Sequence, residues 1–186
     1  MGVDASPEML RIARRRLQGV RLVRGDMRTF RLNRRFDVVS CLFSAIGHLR
    51  TKAEVLATFA NFGRHLNPGG VAIVEPWILS SAFRAGSVHL RTYQDPSITI
   101  ARVASSSRRG SRSQIHFHFL IGEVGHDVQY FEETDVGVLL SREELVQLME
   151  RAGLHPRFLA RGFLPGRGLL LGVKPMVRSP RPPDRP

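Results

Sequence analysis

Apolar residues at positions 9, 12, 13 and 17 (Met9, Ile12, Ala13, Leu17) recur at helical spacing, with Arg11, Arg14 and Arg15 between them. The segment is therefore predicted to be an amphipathic helix with its basic residues outward. Ser6 is a good N-cap, Pro7 suits the first helical position and Glu8 complements the dipole. Gly2-Val3-Asp4 before it reads as the end of a buried strand. Val20 to Val23 is a short strand running into Gly25-Asp26, and Phe36 to Phe43 is a mostly apolar run of the kind found in central parallel strands. Thr51 and Glu54 form a capping box for a helix that buries Val55, Leu56, Phe59, Phe62, Gly63 and Leu66. Asn67-Pro68-Gly69-Gly70 is predicted to stop that helix before a strand over Val71 to Glu75. This strand–helix alternation over residues 1–84 implies a parallel sheet with right-handed crossovers.

From about residue 86 the period changes to two. "SITIARVASSS", "SQIHFHFLIG" and "DVQYFEETDVGVLL" alternate like antiparallel strands, with a turn at Arg108-Arg109-Gly110-Ser111. A second capping box, Ser141 to Glu144, then opens a helix faced by Leu145, Leu148, Met149 and Ala152 and closed by Gly153. Strands near 156–161 and 168–174 end the fold. The expectation is one domain over 1–174, an antiparallel insertion over 86–138 and a disordered Pro- and Arg-rich tail over 175–186.

The charge of +12 changes the picture less than its size suggests. It would suit nucleic acid, an anionic membrane or a phosphorylated small molecule. Yet the cations are nearly all Arg and lie in every segment, as on a solvated surface, which counts against nucleic acid as the partner. The sequence holds no run of 18 apolar residues, and no apolar stretch follows the N-terminus, so neither a membrane span nor a signal peptide is expected. Cys41 is the single cysteine, which fits a reducing cytoplasm and reads as core filler in its apolar run.

Ligands of open parallel sheets bind beyond the C-terminal strand ends. Those ends carry Asp4, Gly25-Asp26-Met27, Ser44 to His48 and Glu75-Pro76-Trp77. A carboxylate at Asp4 can accept from both hydroxyls of a ribose diol. Asp26 can accept from an exocyclic amine while Met27 packs on the ring. The imidazole of His48 can take a proton or orient an amine, though it also fits an ordinary surface position. Trp77 is either a substrate wall or core. Arg167 stands between two glycines, where bare backbone lets a guanidinium reach a phosphate. His116 and His118 share a strand face, but without a third ligand no metal site is expected.

"GVDASPEMLRIARRRL", "VRGDMRTF", "FDVVSCLF" and "HLNPGGVAIVE" resemble, in order and spacing, the later motifs of class I S-adenosylmethionine-dependent methyltransferases. That resemblance implies an α/β, Rossmann-like methyltransferase sheet with strand order 3-2-1-4-5-7-6, the segments here being its second to seventh strands. It implies S-adenosyl-L-methionine as cofactor, with Asp4 on the ribose, Met9 and Met27 near the adenine and Asp26 on its amino group. "GDMRTFRLNRRFDVVSCLFSAIGHL", "NPGGVAIVEPW" and "PGRGLLLGV" are similar, more narrowly, to N,N-dimethyltransferases of nucleotide-linked amino-deoxysugars. This implies a small-molecule substrate, His48 beside the sugar amine, Arg167 at the pyrophosphate, and the 86–138 sheet over the site. Ala45 departs from the pattern, where a second serine is expected, which puts in question one substrate hydrogen bond that the resemblance implies.

The family's first strand and its Gly-rich turn have no counterpart here, so the resemblance implies a sheet lacking the strand between its second and fourth. Three readings stay open at this point. One is a small-molecule N-methyltransferase. Another is an RNA or protein methyltransferase, suggested by charge and opposed by "FSAIGHL" where adenine N-methyltransferases carry Asn/Asp-Pro-Pro-aromatic. The last is a truncated or non-catalytic remnant.

Overall fold

The computed structural model of the chain describes residues 1–164 and 167–176. The tail from 177 onward, expected to be disordered, lies outside the described residues. Strand β1 (Gly2–Asp4), helix α1 (Pro7–Arg16) and β2 (Leu22–Arg24) form a first unit in which β1 and β2 pair in parallel. Ser6 caps α1 by accepting the Met9 amide at 3.1 Å, as the sequence implies. Strand β3 (Phe36–Cys41), a 3-10 helix (Ala45–His48), α2 (Lys52–Arg64) and β4 (Leu66–Val74) follow. A four-stranded antiparallel insertion comprises β5 (Val88–Gln94), β6 (Ile98–Arg109), β7 (Arg112–Glu123) and β8 (Gln129–Val138). Helix α3 (Arg142–Arg151), β9 (His155–Leu159) and β10 (Leu169–Val173) complete the core.

The main sheet has the order β3-β4-β10-β9, with β3 and β4 parallel and β10 antiparallel to both of its neighbours. With β1 and β2 as the second and third strands of the expected order, every observed adjacency matches. Between β1 and β3 no strand lies among the described residues. Strand β3 has the apolar run of a central strand, yet it is an edge with Val38 53% exposed, in keeping with the expected sheet that lacks the strand beside it.

Two boundaries differ from the pattern. Helix α2 ends at Arg64, and β4 already starts at Leu66, so the Asn67 to Gly70 segment lies inside the strand. Gly69 takes φ +79° and donates its amide to Lys174 O at 2.9 Å, while the Lys174 amide donates to Gly70 O. The turn residues thus gain partners from the chain beyond β10. In the insertion, β5 is a strand that the three alternating segments did not include. All seven of its residues are exposed, and its register is set by pairing with β6 from Val88–Ser105 to Gln94–Thr99.

The core lies where α2 and α3 cover one face of the main sheet. Phe59, Leu66, Val74, Met149 and Leu170 are fully buried, each contributing about 1.5–3 kcal/mol by leaving water. Both capping boxes form, Thr51 with Glu54 and Ser141 with Glu144. Strand β8 runs straight into buried Val138, Leu139 and Leu140, which anchors the insertion to this core. No described helix is long and apolar enough to cross a membrane.

Candidate active site

Strands β1 and β2 run parallel, as do β3 and β4, and the residues just past β2 meet α2, the helix that follows β3. Asp4 stands at the tip of β1, and Gly25 just past β2 donates its amide to Asp4 O at 2.9 Å. Asp4 and Asp26–Met27 therefore occupy neighbouring tips. The Asp4 carboxylate accepts the Ser6 amide at 2.8 Å through Oδ1. Asp26 is more fully engaged: it accepts from the Arg28 amide and from Nε and an NH2 group of the Arg28 guanidinium. Arg28 also pairs with Glu54 of α2 at 2.5 Å. The Arg28 side chain beside it holds the Asp26 carboxyl below its ordinary value. Met27 packs against the core cluster and its carbonyl accepts from Asn61 Nδ2 at 3.1 Å. Met9 is more than half exposed on α1, and nothing in the described residues ties it to that pair.

A second group forms beyond β3 and β4. Because β10 runs antiparallel to β4, with Leu170 opposite Val74, the residues just before β10 lie beside those just after β4. This places the Arg167 guanidinium 5.1 Å from the Trp77 ring, where it also donates to Ser44 Oγ. Trp77 donates its indole N–H to Ser113 Oγ of β7 at 3.3 Å. Gly47, next to His48, packs so closely on Trp77 that a Cβ there would sit 3.1 Å from the ring. His48 is exposed at the end of that 3-10 helix. Thus Trp77, Arg167 and the segment carrying His48 come together, with Ser44 among them.

Glu75 and Ser44 were placed at strand ends by the sequence, but the roles of Glu75, Phe43 and Ser44 were not legible there. Glu75 is fully buried, and its two carboxylate oxygens accept the amides of Phe43 at 2.7 Å and Leu164 at 2.8 Å. It pins the segments after β3 and before β10 to the end of β4. Phe43 and Ser44 have φ of 51° and 62°, a left-handed pair rarely seen in residues with side chains, and such strain persists only where the surroundings hold it. An acid after a buried strand was the available signal for Glu75; the strain of two residues that are not glycine left none.

Neither Cys41, at the end of β3, nor the two histidines of β7 join this group. Cys41 is buried, and burial pushes its thiol up to about 11, which leaves it a neutral core residue at physiological pH. His116 and His118 pair separately with Thr134 and Tyr130, and no cluster able to hold a metal occurs among the described residues.

Residues 1–70 match a family described as a methyltransferase domain. The chain is 38% identical over 172 residues to the dTDP-3-amino-3,4,6-trideoxy-alpha-D-glucopyranose N,N-dimethyltransferase of Streptomyces venezuelae, covering 92% of this chain and 72% of that protein. It is 40% identical to the dTDP-3-amino-3,6-dideoxy-alpha-D-glucopyranose N,N-dimethyltransferase of Streptomyces fradiae, covering 92% and 67%. Its fold matches that of SAM-bound CalS10, an amino pentose methyltransferase from Micromonospora echinaspora, with a TM-score of 0.83 and 38% identity over 93% of this chain and 72% of that one.

Proposed function

The chain belongs to the S-adenosylmethionine-dependent methyltransferases, in the group that holds the sugar N,N-dimethyltransferases, and from that premise we propose that its acceptor is the amine of a nucleotide-linked amino sugar. The observation that carries this reading is Arg167, stacked on Trp77 and bound to Ser44 beside the His48 segment. A guanidinium fixed on an aromatic face presents its remaining N–H groups in a planar fork suited to a pyrophosphate.

The residues on the β1 and β2 tips fit the adenosine half of the cofactor. Asp4 uses one carboxylate oxygen for the Ser6 amide, and the other can accept from a ribose diol. Met27 offers an apolar side chain beside Asp26. When bound, the cofactor supplies a methyl group activated by its sulfonium charge. This chain's part is alignment: Trp77 walls the acceptor site, Arg167 holds the phosphate end, and a ring nitrogen of His48 orients the amine or takes its proton. Glu75 keeps these parts in register by fixing Phe43 and Leu164. We place the reaction in the cytoplasm, which the lone buried thiol supports.

The test is incubation of the chain with S-adenosylmethionine and a dTDP-linked 3-amino sugar, followed by mass analysis of the nucleotide sugar. The expected product carries one or two added methyl groups on nitrogen, and a sugar with hydroxyl in place of the amine gives none. Methyl transfer to RNA or protein, with none to the amino sugar, would overturn the proposal.

A further inference from the structure

At the opposite end of the main sheet, the segment before β3 and the end of α2 enclose an open cavity of about 510 Å³. Four arginines line it: Arg31, Arg34 and Arg35 from the segment, and Arg64 from the last turn of α2. Its floor is Asn61 and His65, both buried. None of the four guanidiniums forms a salt bridge among the described residues. The acid nearest in sequence, Asp37, accepts instead from Asn67 Nδ2 at 2.9 Å.

The backbone that presents these cations is fixed. His65 Nε2 accepts the Leu32 amide at 3.0 Å, so its proton is on Nδ1, which donates to Asn61 O at 2.8 Å. His65 O accepts the Phe36 amide at 2.8 Å, and the His65 ring lies 4.5 Å from that of Phe30. Arg34 is further held over the Phe36 ring.

A helix C-terminus normally repels an anion, because its last carbonyls carry negative partial charge. Here the carbonyls of Asn61, Phe62 and Gly63 in that last turn are occupied. Asn61 O and Phe62 O accept from His65, and Lys174 Nζ donates to Gly63 O and to Leu66 O of β4, both at 2.7 Å. Burial, with the nearby charge of Arg35, holds the Lys174 ammonium below its ordinary value. The cavity thus gathers guanidiniums that have no salt-bridge partner among the described residues, over a helix end whose negative pole is offset by a fifth cation.

We propose that this cavity binds a pyrophosphoryl group, free or carried by a nucleoside, at a site separate from the transferase centre. Linked phosphates supply several charges in one ligand, and planar guanidinium forks pair with them bidentately. The volume exceeds what a single orthophosphate fills.

Calorimetric titration of the full chain with inorganic pyrophosphate, ADP and orthophosphate tests this. Binding of pyrophosphate is expected to survive Arg167→Gln and to weaken by about tenfold or more when Arg34→Gln and Arg64→Gln are combined. It should fall steeply with added salt. Arg64→Lys, which keeps the charge and loses the fork, controls for folding and should give an intermediate loss. ADP binding much tighter than pyrophosphate would identify a nucleotide as the ligand; equal affinities would identify the phosphates alone. Binding unchanged in the double variant, lost through Arg167→Gln alone, or no stronger for pyrophosphate than for orthophosphate would overturn the proposal.

Discussion

Glu75 accepts the amide of Phe43, 32 residues earlier in the chain, at 2.7 Å, and this bond holds the first of two left-handed residues at the end of β3. The same carboxylate accepts the Leu164 amide. Replacing it with Ala leaves two amides without their partner, at about 1–3 kcal/mol each. Glu75→Ala is therefore expected to lower stability by about 2–6 kcal/mol in urea unfolding, and Glu75→Gln to lose less, because its carbonyl oxygen still accepts one amide. A change within about 0.5 kcal/mol for Ala, as at an ordinary surface position, would remove Glu75 from its anchoring role.

Gly137 meets the 3-10 helix at closer range. A Cβ at this position would stand 2.3 Å from Gly47 O, so Gly137→Ala must displace either the end of β8 or the segment that carries His48. Overpacking of this kind costs about 1–3 kcal/mol. Methyl transfer should fall more than stability accounts for at the assay temperature. Equal activity per folded molecule would show that the His48 segment tolerates the shift.

Arg167 should separate substrate from cofactor. Arg167→Ala is expected to weaken nucleotide-sugar binding by about 1.5–3 kcal/mol, the range for a hydrogen bond to a charged group, with cofactor affinity unchanged. Arg167→Lys should restore little, because an ammonium neither stacks on Trp77 nor forks to two oxygens. Equal loss for both ligands, measured by titration calorimetry, would assign Arg167 to structure instead.

Cys41 gives a pH dependence with a definite sign. Its folded thiol is pushed up to about 11 by burial, while an unfolded thiol ionises near about 8.5. The raised folded value favours unfolding at alkaline pH: the contribution is fully present below about 8.5 and is lost as pH rises toward the folded value. Denaturation midpoints should fall between pH 8 and 10, and fall less in Cys41→Ala. Iodoacetamide at pH 8 should label the folded chain far more slowly than the urea-unfolded chain; equal rates would show an accessible thiol.

Local signals were read from the sequence well, and long-range ones were not. Ser141 with Glu144 and Thr51 with Glu54 are three residues apart, so the pattern and the structure report the same bonds. The period-two stretch located β6, β7 and β8, but β5 lies wholly exposed and owes its place to β6. Asp4, Asp26 and Met27 could be placed at neighbouring strand tips because such tips follow from the alternation. That Arg28 engages both oxygens of Asp26 while bridging to Glu54 depends on α2 packing, which no spacing encodes. Glu75 looked like one acid among several at strand ends; only the burial of its carboxylate against segments from far along the chain sets it apart.

Amide exchange should divide the molecule along a line that the ladders draw. Strands β1 and β2 share three paired residues and have no ladder to β3 among the described residues. What joins them to the core runs through residues 25–35: Asn61 on the Met27 carbonyl, Glu54 on Arg28 and His65 on the Leu32 amide. Asp4 and Asp26 therefore ride on an element whose opening is governed by three side-chain clasps on α2, whereas Trp77 and Arg167 ride on β4 and β10 at the centre of the main sheet. Amides around Asp4 and Asp26 should exchange early and those around Trp77 and Arg167 late, so the two ends of the proposed site would draw on separate reserves of order.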